Sequence, residues 1–328
     1  MKEKVRGYYY KAKEISNIRK YSFIDIKKGK KFSLGSKSPL KNFFTLLKLN
    51  LFINLIICIS SHLNNNSFRK LQIYFSEITI DIRVDDEDLK VITAEHMRCP
   101  DEIYLGDSKI AEGSCSPNIQ IKGNLRFRML WFNQLESCKK MFFSLSNIIS
   151  IDLSKFDSSL VTDMSDMFHD CNSLEFINLM NLNTSLVKIM SGMFSNCKSL
   201  TSLDLSNFDT KSVISMDFMF VSCSSLTSLD LSNFDTSKVE DMEMMFGGFE
   251  KLKSLDLSNF DTSLVTSMGS MFSYSTSLIS LNISNFNTSL VENMFNMFEN
   301  CNSLVSIDIS KFNTSLVKDV RYMFCECK

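Results

Sequence analysis

The 328-residue chain is poor in the residues that most often carry chemistry. It has three histidines, one tryptophan and three prolines. Three scattered histidines exclude a His-rich metal site, and His62 and His96 have no partner at a recognisable spacing. There is no Gly-x-x-x-x-Gly-Lys phosphate loop, no His-Glu-x-x-His and no Gly-x-Ser-x-Gly. No apolar run follows Met1 within thirty residues, so there is no ordinary signal peptide there. An excess of one charge is also missing: 36 basic and 37 acidic side chains leave a net charge of -1. That excludes a wholly basic nucleic-acid binder. These absences point away from an enzyme and call for no cofactor.

The balanced charge hides two opposed parts. Residues 1–41 carry thirteen Lys or Arg and three acids, a net of +10, and the rest of the chain carries a net of -11. The basic stretch reads as a tail that could flank a membrane anchor or contact anionic lipid. Its aromatics Tyr8, Tyr9, Tyr10 and Tyr21 form no nucleic-acid module. Phe43–Ile59 is a mostly apolar run of seventeen residues, within an apolar segment at 42–61. It is long enough at the lower limit to cross a bilayer, and its basic N-terminal flank suits a signal-anchor. Lys48, Asn50 and Asn54 are costly in lipid. A packed segment and one that never folds are the other readings. Residues 62–121 form a further region. Ile78, Ile80, Ile82 and Val84 alternate with Thr79, Asp81 and Arg83, which predicts a strand. The acidic run Asp85–Asp88 reads as a solvated turn. This region is expected to be a small β-containing cap or domain.

What the sequence does have is phenylalanine, methionine and a period. Met-Phe pairs begin at Met141, Met167, Met193, Met219, Met245, Met271, Met297 and Met323, always 26 residues apart. Leucine and phenylalanine ladders keep the same step. A repeat array is thus expected over 122–328, opening with a degenerate unit that holds Leu125, Phe127 and Leu130. In the unit from Leu226, Leu229 and Leu231 alternate with Ser228, Asp230 and Ser232, which predicts a short strand with one apolar face. Asp235-Thr236-Ser237 reads as turn and cap. Ser237 with Glu240, and Ser289 with Glu292, have capping-box spacing. Val239, Met242, Met245 and Phe246 then fall on one face of a two-turn helix ended by Gly247 and Gly248. The expected fold is α/β: a leucine-rich-repeat-like solenoid of short parallel strands and short helices, preceded by the small β-rich cap.

The unit resembles leucine-rich repeats through Leu200, Leu203 and Leu205, and through the equivalent leucines from Leu226 and Leu252. More closely, Leu226–Ser237 followed by Val239, Met242, Met245 and Phe246 is similar to BspA-like repeats of bacterial and mycoplasma surface proteins. The resemblance implies a cell-surface or membrane-anchored location and adhesion, or recognition of a protein or glycan partner. An intracellular interaction scaffold with a cytoplasmic location, or a self-assembling structural protein, is the alternative. Self-association at the C-terminal end of the array is a further expectation. Phe208, Phe234 and Phe260 fill the slot where leucine-rich repeats carry a buried asparagine. Asn207, Asn233, Asn259 and Asn285, one residue earlier, are placed to take over its hydrogen bonds.

Cys171, Cys197, Cys223, Cys301 and Cys327 share one slot and read as free packed thiols, and Cys99 with Cys115 is a conceivable disulfide. The expected ligand face is the strand face away from the core. Its central column is Asp152, Asn178, Asp204, Asp230, Asp256, Asn282 and Asp308, flanked by serines. Stacked carboxylates repel, so the column suits a basic or hydroxyl-rich partner.

Overall fold

The computed structural model describes residues 8–9, 22–25, 30–33, 76–84, 98–115 and 123–328. Phe43–Ile59 and the acidic run Asp85–Asp88 lie outside the described residues. The chain divides into two compact units, Met1–Gln72 and Ile73–Lys328. In the first, β1 (Tyr8–Tyr9), β2 (Ser22–Asp25) and β3 (Lys30–Ser33) form an antiparallel sheet in that order.

The second unit begins with β4 (Ser76–Val84), β5 (Glu102–Leu105), β6 (Ser108–Glu112) and β7 (Gly123–Trp131). The alternation read in the sequence is that of β4, with Ile78, Ile80 and Ile82 fully buried. β8 (Ile148–Lys155) and β9 (Phe176–Asn178) complete a six-stranded sheet, ordered β6-β5-β7-β4-β8-β9. All neighbours are antiparallel except β8 and β9, which are parallel. A Cys99–Cys115 disulfide spans the hairpin of β5 and β6. Residues 123–131, expected as a degenerate first repeat, are β7 instead: full antiparallel pairing with β4 satisfies their backbone.

From residue 137 onward, seven isolated parallel bridges step by 26 residues, from Ser137–Asp163 to Asn293–Asp319. Only two further short strands form, β10 (Ser254–Asp256) and β11 (Ser280–Asn282), paired in parallel. No described residue is in an α-helix. The expected α/β solenoid with helices is therefore corrected to an all-β and turn-built stack of coils.

The backbone hydrogen bonds give the reason. Alternate amides leave their own coil: Met190, Gly192, Phe194 and Asn196 donate to the carbonyls of Ser215, Asp217, Met219 and Val221, at 2.8–3.1 Å. The intervening amides close tight turns, with Met193, Ser195 and Cys197 bonding to Met190, Gly192 and Phe194 at 3.0–3.2 Å. A helix would keep every amide for its own strand of chain. Here the turns need left-handed residues, at Phe218 (φ 58°) and Ser222 (φ 57°) in one coil and at matching positions throughout. Four-residue turns, each closed by an amide three residues beyond its carbonyl, bring side chains inward at three-residue steps and so imitate helical spacing. Val239, Met242, Met245 and Phe246 are all fully buried, as the pattern implied, but not on a helix. No capping box is made; Ser237 instead bonds to the Asp235 carboxylate through both its amide and its hydroxyl.

Side chains tie the coils together along two lines. Asn207 donates to the carbonyls of Leu179 and Leu182, Asn233 to those of Leu205 and Phe208, and Asn259 to those of Leu231 and Phe234, all at 2.9–3.0 Å. Asn285 donates to the Ser258 carbonyl. The expected takeover by these asparagines is what the coils display. The second line is buried threonine. Thr262 Oγ1 donates to the Asn287 carbonyl at 3.0 Å and accepts from the Asn287 amide at 2.7 Å. Thr184, Thr210 and Thr288 do the same one coil on.

Apolar columns fill the interior. The rings of Phe142, Phe168, Phe194, Phe220, Phe246, Phe272, Phe298 and Phe324 stack with centroids 5.3–6.0 Å apart. The cysteine slot is also internal: Cys171, Cys197, Cys223 and Cys301 are buried free thiols, each directed at a phenylalanine carbonyl one coil back. Burial pushes the thiols of Cys223 and Cys301 up to about 12, so both stay protonated.

Two substitutions test this architecture. Thr262→Val keeps the shape but strands the Asn287 carbonyl and amide, and should cost about 1–3 kcal/mol in chemical denaturation, while Thr262→Ser should cost less. Ser222→Gly removes a side chain from a left-handed position and should raise stability by about 1 kcal/mol. In a helix the same change would lower it by a similar amount, so the sign of the measured shift discriminates.

Candidate interaction face

The seven residues of the expected ligand column occupy one line along the coils. Asp152 on β8 pairs in register with Asn178 on β9, and Asp256 on β10 with Asn282 on β11. Asp204, Asp230, Asp256 and Asp308 are exposed, and Asp152, Asn178 and Asn282 are half-buried. The structure therefore brings these side chains onto a common outer line.

Each of them also has a local task. The side-chain oxygen of Asp204 accepts the Ser206 amide at 3.0 Å, Asp230 that of Ser232 at 3.0 Å and Asp256 that of Ser258 at 2.9 Å. Asp152, Asn178, Asn282 and Asp308 do the same two residues on, at 2.9–3.2 Å. These are Asx-turns, in which a short acidic or amide side chain fixes the chain reversal that follows. A second such row starts at Asp157 and includes Asp235, Asp261 and Asn287. This role was missed in the sequence. Its signal was there: Asp or Asn followed two residues later by Ser, at two slots of most repeats.

Charge compensation differs along the line. At the β-sheet end, Arg126 holds Asp81 through two bonds of 2.7 and 2.9 Å, and Ser150 donates to the same carboxylate. Lys155 and Arg128 both face Glu77, at 2.8 and 3.5 Å. Further along, Asp204, Asp230 and Asp256 have no ion-pair partner among the described residues. Their carboxyls nevertheless sit below the ordinary aspartate range. At Asp204 the Ser206 hydroxyl is the larger cause and its amide the next. At Asp230 and Asp256 the serine amide leads, followed by the hydroxyl. These groups remain ionised at neutral pH.

Other polar groups do not converge. His169 lies between Asp166 (3.2 Å) and Asp170 (3.6 Å) and beside the Phe143 ring. Asp241 is half-buried near Asp217 and Glu243, and burial raises its carboxyl. Among the described residues, no group of His, Cys, Asp and Glu has an arrangement that could hold a metal ion.

The family described as "Mycoplasma protein of unknown function, DUF285" matches residues 136–255 and 247–328. These cover more than half of the chain, and the chain belongs to that family. The expected membership of the BspA-like leucine-rich repeats is corrected accordingly, both by this match and by the absence of helices in the coils. No curated protein and no solved structure matches the chain. Among the described residues no helix is long and apolar enough to cross a membrane. The adhesion role resting on a leucine-rich-repeat solenoid is corrected with the fold, and neither the expected membrane partner nor the surface or membrane-anchored location finds support among the described residues.

The Asx-turns make a pH prediction. The folded carboxyls titrate below an unfolded aspartate, so they stabilise the coils above pH ~4, and that contribution is lost as pH falls through their folded values. Replacing Asp204, Asp230 and Asp256 together by Asn keeps the turns, as Asn178 and Asn282 do naturally. The variant's melting temperature should then fall less than the parent's between pH ~5 and ~3. Equal slopes would show that these carboxyls carry no such linkage.

Proposed function

We propose that this member of the family is a non-enzymatic protein-interaction scaffold, whose coil stack presents an acidic line to a basic partner. The reading rests on one observation above all. Asp204, Asp230 and Asp256 are exposed, held in fixed orientation by their own turns, and without an ion-pair partner among the described residues. Successive coils repeat at the spacing of β-strands, roughly 5 Å, so the charges form a regular row. A flexible basic segment can follow such a row at little cost to the scaffold, which is already ordered. Half-buried Asp152 and Asn178, together with the paired charges of β4 and β7, would mark its less reactive end.

The test uses the full chain and an oligolysine peptide of defined length as probe. Binding by fluorescence anisotropy should weaken steeply with added salt. It should also weaken when Asp204, Asp230 and Asp256 are all changed to Asn, which removes charge and keeps the turns. Equal binding by parent and variant would refute the acidic line as the interaction face.

A further inference from the structure

A second outward line lies on the Ser-Leu-Val segment of the coils. Leu160, Leu186, Leu264, Leu290 and Leu316 are 42–48% exposed, although each immediately precedes an inward-facing valine. Packing does not demand leucine there. Ser212 and Lys238 hold the same slot in the two intervening coils, and the following Val213 and Val239 are still fully buried. The backbone beneath is fixed, because the amides of Lys188, Ile214, Glu240, Thr266, Glu292 and Lys318 each donate to the preceding coil at 2.7–2.9 Å. The chain thus maintains a rigid, solvent-facing aliphatic ribbon where a polar residue is structurally sufficient.

The order of side chains along the ribbon is what identifies its occupant. From coil to coil it runs Leu160, Leu186, Ser212, Lys238, Leu264, Leu290, Leu316, which is nearly symmetric about Lys238. The exposed column two residues on carries Lys188 on one side of the midpoint and Glu292 at the same distance on the other, with Glu240 at the centre. Laid face to face and antiparallel, two copies put Leu160 opposite Leu316 and Leu186 opposite Leu290. Lys188 then meets Glu292 of the other copy, and at the midpoint the two Lys238 and the two Glu240 come together as a group of four, each Lys238 beside the other copy's Glu240. A parallel two-fold arrangement of the same ribbon would put the two 188–292 columns on opposite sides of it and form no Lys188–Glu292 pair. Opposite charges set the direction of such a contact, and the apolar line supplies the burial. A two-fold contact of this kind is self-complementary, as closed dimers require.

We propose that the leucine ribbon is a docking face for a second copy of this chain, in antiparallel orientation with Lys188 of one copy against Glu292 of the other. Glu292 also pairs with Lys318 in its own chain, and in the dimer its carboxylate lies between two lysines. This face is separate from the acidic line, so a dimer leaves Asp204, Asp230 and Asp256 open to a basic partner.

Sedimentation equilibrium of the full chain is the test. The parent should dimerise reversibly. Leu186→Ser with Leu290→Ser should raise the dissociation constant roughly tenfold or more, with an unchanged melting curve for the monomer, since Ser212 shows that the slot accepts serine. Lys188→Glu should weaken the dimer, and adding Glu292→Lys should restore it, which a purely structural effect of either change would not do. Orientation is read separately with single cysteines: Leu186→Cys mixed with Leu290→Cys should form a disulfide between the two variants, while neither variant alone should pair with itself. A Leu186→Cys chain that oxidises with its own copy would show a parallel contact and overturn the proposal. A parent that stays monomeric at every concentration, or a dimer indifferent to the leucine changes, would overturn the proposal. Oligolysine binding measured on the same samples keeps that outcome distinct from failure of the acidic line.

Discussion

The structure depends on how the coils share their backbone amides. In each coil the Met-x-x-Met-Phe segment gives alternate amides to its neighbour and uses the remainder for its own turns. Neither set alone would hold a coil of this shape: the local bonds make tight turns but no ladder, and the outward bonds need a neighbour already in register. The coils are consequently interdependent, and an isolated one would leave its outward-directed amides unpaired. That is the physical reason a repeat of this length occurs as a series. It also accounts for the left-handed residues. Serine, asparagine, aspartate, phenylalanine and tyrosine all occur at φ near 55–60° in the stack, a conformation costing roughly 1–2 kcal/mol for most residues. The cost is tolerated because the geometry lets two kinds of hydrogen bond alternate.

Around this framework the side chains divide the work. Phenylalanine and methionine remove apolar surface along continuous columns. Threonine and asparagine satisfy backbone groups that the ladder leaves over, and aspartate sets the turns. The buried hydroxyls of Thr184, Thr210, Thr262 and Thr288 both donate and accept within the next coil, which a valine of the same shape cannot do. The antiparallel strands β4 to β7 end the series at its N-terminal side. β4 lies along β8, so the first coil's open strand edge is paired rather than exposed. The same sheet neutralises its own acids with Arg126, Arg128 and Lys155, whereas Asp204, Asp230 and Asp256 in the middle coils have no ion-pair partner among the described residues.

Much of this was legible in the residues. The 26-residue step, the buried Met-Phe pairs, the outward line through Asp204 and Asp230, the free thiols and the hydrogen-bonding asparagines all follow from side-chain pattern. What failed was the inference of helix from Val239, Met242, Met245 and Phe246. Successive β-turns and helical turns place apolar residues at nearly the same intervals, so spacing alone does not separate them. The distinguishing feature lies in the backbone: amides shared between coils leave no periodic mark on side chains. Gly192 and Gly248, with Asp166, Asp170, Asn196, Asn296 and Asn300, all at positive φ, were the residues in those slots whose identity hinted at it. The resemblance to leucine-rich repeats rested on the same ambiguity, and the surface role drawn from it was lost with it. The aspartates illustrate the converse. Their position was legible, but their part in the turns required seeing the Ser206, Ser232 and Ser258 amides directed at them.

The central claim, that alternate amides bond between coils rather than within a helix, has a direct measurement. Scalar couplings across hydrogen bonds, recorded on isotopically labelled protein, identify the carbonyl partner of each amide. The account predicts that the Phe194 amide couples to the Met219 carbonyl and the Phe220 amide to the Met245 carbonyl, each 25 residues ahead. Couplings from these amides to carbonyls four residues earlier in the chain would establish helices in the coils and contradict the architecture described.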